Sequence, residues 1–279
     1  MNENGFLYQN SSDSQLFYEQ CKNLLEHKDS ELLKGLKWFS IMPTFLFYGL
    51  PGTGKTTLAY STYYKLKEKM NIELHILKIE SCLSSNFGES SNNLINFFQD
   101  VKNSMDENKS YAFIIIDELD SLALHRFVPQ NASIQRVLNT FNKELDELSF
   151  NGYLSKMIII ATTNLKDLID SSTQRRFYFH YSFDMILSEE NFKEFFKKAL
   201  NPFPDLSKLI LNDNMTKLYK IYTEKQFTLG ELKRIIANVW MNKYMASNSN
   251  FCLSNFEECF SKEKSYYQTL TAQKGMICK

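Results

Sequence analysis

Apolar positions along this chain follow two patterns. From about residue 43 to 184, short runs that are apolar or β-branched throughout alternate with segments whose apolar residues recur at helical spacing. The runs are TFLFYG, IELHILKIE, YAFIIID, KMIIIATTN and FYFHYSF, and each predicts a strand. Between them, TTLAYSTYYKLKEKM, SNNLINFFQDVKNSM and SIQRVLNTFNKELDEL predict helices. Strands apolar on both faces and separated by helices belong in a parallel sheet with helices on both sides. After residue 185 the strand pattern ends, and SEENFKEFFKKAL, MTKLYKIYTE and TLGELKRIIANVWMNKYMA predict helices alone. The first of these opens on Ser188 with Glu189 and Glu190 in its first turn, which suits both the cap and the helix dipole. Two short helices over residues 12–40 precede the alternating region, and Pro43 ends the second. Residues 246–256 are rich in Asn and Ser and read as loop; EECFSKEKSYYQTLTAQK reads as one more helix. The expected organisation is a helical segment over 1–40, a large α/β domain over 41–184, a helical domain over 185–250, and a partly helical tail over 251–279.

Composition narrows the function classes. Apolar residues make up 43% of 279, enough for a sizeable core. A formal net charge of +0 gives no strong electrostatic case for nucleic acid as the main partner. Five scattered cysteines, with no C-x-x-C, read as reduced thiols in a cytoplasmic compartment. No signal peptide is visible at the N-terminus, and no run of about 18 apolar residues predicts a membrane span. The histidines His27, His75, His125 and His180 show no ligand spacing and read as structural. Basic residues are overwhelmingly lysine; the arginines are Arg126, Arg136, Arg175, Arg176 and Arg234. Arginine differs from lysine in presenting a planar, always-charged fork, so the adjacent pair in STQRRF is a candidate for bidentate recognition.

The most specific motif is GLPGTGKT, Gly49 to Thr56, which fits G-x-x-x-x-G-K-[ST] between a predicted strand and a predicted helix. Gly49, Pro51, Gly52, Thr53 and Gly54 form a loop whose backbone N–H groups can turn toward phosphate oxygens. Lys55 would reach the β- and γ-phosphates of ATP, Thr56 would ligate Mg²⁺, and Thr57 follows in the helix N-terminus. An acid should stand at the end of a buried strand to complete the site. FIIIDELD supplies Asp117 for Mg²⁺ and Glu118 to polarise the attacking water. IIIATTN places Asn164 at another strand end, where a neutral amide can orient that water.

With these motifs in order, the chain resembles the AAA+ ATPases of the AAA type. FYGLPGTGKTTLA is similar to the family's Walker A, IIIDELDSLALHR to its Walker B, IIIATTN to its sensor 1 and IDSSTQRRF to its arginine-finger region. SSNFGESSNNLINFF resembles the pore-loop segment with its following helix. The resemblance covers about residues 40–240. It implies a P-loop NTPase three-layer αβα domain with a five-stranded parallel sheet in the order 5-1-4-3-2, a C-terminal helical lid, and a homo-oligomeric ring, usually a hexamer. It further implies that Arg176, matching the arginine before the motif's Phe, reaches a neighbouring subunit's γ-phosphate, with Arg175 beside it as a second catalytic candidate.

Other positions depart from the family pattern. Phe87 lies one step later than the usual pore-loop aromatic and reads either as a substrate contact or as a packed side chain. FVPQNAS, residues 127–133, is placed for a second pore loop. Glu231 occupies the usual sensor 2 position, and Arg234, one turn on, reads either as a nucleotide contact or as a salt bridge. Arg136 reads as an interface arginine or a solvated one. Trp38 and Phe39 suit a docking patch, but packing against the ATPase domain is the favoured reading. The first functional expectation is an ATP-driven remodeller of a protein substrate, directly or through an adaptor; RVLNTFNKELDEL and the compact size resemble the branch that acts on HORMA-domain proteins. The alternatives are a nucleic-acid-associated ATPase, such as a helicase loader or transposition helper, and a non-catalytic nucleotide switch.

Overall fold

The computed structural model describes residues 11–26, 30–39, 41–82, 89–121, 132–184, 186–203, 215–245 and 253–269. These form two compact units: Ser11–Gly49 with Lys55–Phe183, and Leu50–Gly54 with the described part of Asp184–Lys279. Among the described residues no helix is long and apolar enough to cross a membrane.

The first unit is built on a parallel sheet of β1 (Thr44–Tyr48), β2 (Ile72–Lys78), β3 (Tyr111–Asp117), β4 (Met157–Thr163) and β5 (Phe179–Ser182), in the order β2-β3-β4-β1-β5. That is the expected 5-1-4-3-2 order. The continuous apolar runs have a simple cause. Alternate residues of β1, β3 and β4 point to opposite faces, and both faces are covered. Leu46, Ile114, Ile116, Ile159 and Ala161 pack with α5 (Glu89–Asn108) and α6 (Ala132–Phe150) through Phe98, Val101 and Phe141. On the β1–β5 side, Phe17 of α1 (Ser11–Glu26) sets its ring against Phe45 at 5.1 Å, Phe47 at 5.2 Å and Tyr181 at 5.5 Å. Aromatic pairs in this edge-on geometry add to the gain from burial alone.

Strand ends differ from the sequence reading. β5 starts at Phe179, because Phe177 and Tyr178 are spent on a turn: the Phe177 N–H donates to the Gln174 carbonyl and the Tyr178 N–H to Thr44 Oγ1. β2 stops at Lys78, where a one-turn helix α4 (Ile79–Cys82) begins. Trp38, at the end of α2 (Ser30–Trp38), is 84% exposed and Phe39 66% exposed, so neither packs into the domain as favoured from sequence.

The second unit holds α8 (Glu189–Leu200), α9 (Thr216–Lys225), α10 (Leu229–Met245) and α11 (Leu253–Lys262) around Phe192, Phe196, Tyr222, Leu232, Ile235, Phe256 and Phe260. The Ser188 hydroxyl caps α8 as expected, accepting from the Asn191 N–H. α11 starts at Leu253, inside the stretch read as loop. Leu253, Phe256 and Phe260 fall on one helical face and bury there, and that outweighs the local Asn/Ser composition. Trp240 lies against Phe203, ring centroids 5.2 Å apart. Thr228 and Glu231 form a reciprocal capping box at the start of α10. In its first turn the Gly230 N–H donates to the Gly52 carbonyl at 2.8 Å, and a Cβ on Gly230 would stand 3.0 Å from that oxygen.

Candidate active site

Backbone conformation explains the phosphate loop. Gly49, Gly52 and Gly54 have φ of 141°, 76° and 96°, a region that side chains disfavour. Within the loop, Thr53 Oγ1 donates to the Leu50 carbonyl at 2.8 Å, and Pro51 is half-buried. The helix α3 (Lys55–Lys67) begins directly at the lysine with no acid in its first turn, so its N-terminus favours an anion. Thr57 is exposed in that first turn.

Lys55 is 7% exposed, and its Nζ donates to the Gly49 carbonyl at 2.7 Å and to Asn164 Oδ1 at 2.8 Å. The loop lysine and the strand-end amide, 109 residues apart in sequence, therefore meet directly. Asp117, at the end of β3, lies beside the first turn of α3: Thr56 Oγ1 donates to its Oδ1 at 3.2 Å. This hydroxyl–carboxylate pair is a hard oxygen donor set. It fits Mg²⁺, which is commonly held by one or two carboxylates together with substrate phosphates and water. Among the described residues no group of three or more His, Cys, Asp or Glu could hold a metal.

Glu118 follows with φ of 56°, left-handed for a residue that has a side chain. Its exposed carboxyl is pushed above the usual glutamate range, first by partial desolvation and then by the charges of Asp117, Glu80 and Asp120, against the opposing Lys78. A carboxylate so placed is a better proton acceptor near neutral pH than a solvated one. The DELD turn is tied across to the end of β4. The Glu118 N–H donates to Thr162 Oγ1, the Leu119 N–H to the Thr162 carbonyl, and the Asn164 N–H to Asp120 Oδ1. Thr162 and Asp120 were not singled out from sequence; the only signals were the third acid of DELD and the Thr–Thr pair before Asn164.

The arginines separate. Arg176 is held within its own chain, donating through Nε and Nη2 to both Asp146 oxygens at 2.9 and 2.6 Å, and also to the carbonyls of Asn142 and Ser172. Asp146 and Asn142 belong to α6, and Asn142 Nδ2 also donates to Ser172 Oγ. Asp170 caps the short α7 (Ser171–Gln174). Burial would raise its carboxyl, but hydrogen bonds from Ser172 and Thr173 override that and hold it below the usual range. Arg175 is exposed, and among the described residues its side chain has no hydrogen bond or ion pair. Arg234 pairs with Glu263 at 3.2 Å on the exposed surface of the helical unit. Arg136 is exposed on α6. Phe87, Arg126 and most of 127–133 lie outside the described residues.

A parallel sheet of this order, carrying a glycine-rich loop whose lysine meets a strand-end amide beside an Asp–Glu pair, defines a P-loop nucleotide-binding fold. The chain belongs to the ATPase family associated with various cellular activities (AAA): the family pattern matches residues 45–185, about half of the chain, and makes it an ATPase by class. Over 132 residues it is 35% identical to the peroxisomal ATPase pex6 of Schizosaccharomyces pombe, covering 47% of this chain and 13% of that protein. Over 134 residues it is 31% identical to the pachytene checkpoint protein 2 homolog of Arabidopsis thaliana, covering 45% and 28%. The fold is similar to a chain in the E. coli MS115-1 HORMA:CdnC:Trip13 complex, with TM-score 0.69 and 17% identity over 91% of this chain and 88% of that one. The chain spans 13%, 54% and 50% of the lengths of three curated relatives.

Proposed function

We propose that this chain hydrolyses ATP with Mg²⁺ in a homo-oligomeric ring and uses the cycle to remodel a protein partner. The observation that carries the reading is the Lys55–Asn164 hydrogen bond beside Asp117 and Glu118, which gathers phosphate binding, water orientation and proton acceptance in one place. Lys55 neutralises charge on the β- and γ-phosphates, while Thr56 and Asp117 would hold Mg²⁺, which supplies Lewis-acid polarisation of the phosphate oxygens. Asn164 orients a water, Glu118 takes its proton, the water oxygen bonds to the γ-phosphorus, and the β–γ bridging bond breaks to leave ADP. Charge developing on the transferring group calls for a cation from the next copy. Arg175 is the exposed candidate for that role, and Arg176 clamps the segment to α6 through Asp146. Likeness to pachytene checkpoint protein 2 homologues, and to a fold solved in complex with a HORMA protein, favours a HORMA-type target as the first partner to try.

The test is ATP turnover per subunit against protein concentration, with particle mass measured alongside. Turnover should rise steeply over the concentrations at which rings assemble. Flat turnover from a particle that stays monomeric counts against the ring. Tight, steeply salt-dependent DNA binding would favour the nucleic-acid reading instead.

A further inference from the structure

We infer that Thr162 is a positioning residue for the two acids of the site, a single buried hydroxyl that fixes the carboxylate of Asp117 and the backbone of Glu118 together. This rests on the proposed roles of Asp117 and Glu118. Thr162 lies on β4 and is 2% exposed, so it acts through its neighbours and not on the nucleotide. A hydroxyl has one proton to give and lone pairs to receive. Thr162 Oγ1 donates its proton to Asp117 Oδ1 at 2.5 Å and accepts from the Glu118 N–H at 3.2 Å. Its carbonyl accepts from the Leu119 N–H at 2.9 Å.

Two consequences follow from the geometry. Thr56 and Thr162 both donate to Asp117 Oδ1, and among the described residues Oδ2 accepts no hydrogen bond, so the carboxylate is oriented with one oxygen uncommitted. Glu118 at φ 56° is a conformation that persists only where the surroundings hold it. The Thr162 hydroxyl receives the one backbone donor of that residue, and so holds the turn that carries the Glu118 side chain without touching that side chain.

The test compares Thr162→Val, which keeps the shape and removes the hydroxyl, with Thr162→Ser, which keeps the hydroxyl. Hydrogen exchange in the nucleotide-free chain comes first. The Glu118 amide should exchange faster in the Val variant, while the Leu119 amide, bonded to a carbonyl that remains, should not. Turnover at saturating ATP should fall by ~10–100-fold in Val, as for other residues that orient a site's ligands. Affinity for a fluorescent ATP analogue should stay near wild type, and Ser should recover most of the loss. Unchanged Glu118 exchange and wild-type turnover in Val would overturn the inference. So would equal losses in Val and Ser with matching loss of nucleotide binding, the signature of a merely structural site. If Val fails to fold, Thr162→Ala carries the same comparison. Glu118→Gln run in parallel separates the two levels: turnover retained there removes the underlying site reading, whereas turnover lost there and normal in Thr162→Val removes this inference alone.

Discussion

Glu118→Gln should bind ATP as well as the native chain does and turn it over ~10²–10⁴-fold more slowly, the range a positioned general base supplies. The substitution preserves volume and leaves the N–H that bonds Thr162 in place, so the turn and the Asp117 carboxylate should be unmoved. What is lost is the capacity to take a proton. Binding does not suffer on charge grounds, since removing a carboxylate that sits among Asp117, Glu80 and Asp120 relieves repulsion. Equilibrium binding of a fluorescent nucleotide and single-turnover hydrolysis read the two properties separately. Native-like single-turnover rates would mean that another group accepts the proton.

The arginine pair should divide by kind of damage. Arg175→Ala removes an exposed side chain that has no hydrogen bond or ion pair among the described residues, so the melting temperature should hold. In assembled rings its turnover should fall by ~10³–10⁵-fold, the range measured for arginine fingers. Arg176→Ala breaks a two-point pair with Asp146 and bonds to two carbonyls, so it should lose turnover and stability together. The stability loss should be about 1 kcal/mol, because Asp146 is half exposed and water screens the pair. A mixture of Arg175→Ala and Glu118→Gln copies gives a direct readout of action between subunits. Each variant alone is slow, yet a Glu118→Gln copy can present its arginine to an Arg175→Ala neighbour whose own acids are intact, so the mixture should regain part of the activity. If Arg175→Ala is silent and a folded Arg176→Ala is dead, the Asp146 pair must open on assembly and Arg176 is the finger.

What could be read from the sequence divides along physical lines. The strands were legible because β3 and β4 are short, apolar throughout and rich in β-branched residues, and that length and composition separate them from buried helix segments. Their order was not carried by those residues; it came with the resemblance built on five ordered motifs. Lys55, Asp117 and Asn164 were found because each belongs to a spaced motif at the end of a strand. Thr162, Asp120 and Asp146 were missed because their roles depend on which side chains face each other across elements 30 to 45 residues apart. The clamp on Arg176 was invisible for the same reason, since Asp146 looks like one more solvated acid on α6. The start of α11 was misread because burial of Leu253 and Phe256 overrode the local composition.

The placing of the two indoles has an optical consequence. Trp38 stands 84% exposed in the sheet-bearing unit, while Trp240 lies against Phe203 in the helical one, and the chain has no other tryptophan. Emission from Trp38 should be red-shifted and open to iodide, and a Trp38→Phe chain should keep only the bluer, shielded signal. Urea titration of that variant would then report the melting of the helical unit by its own light.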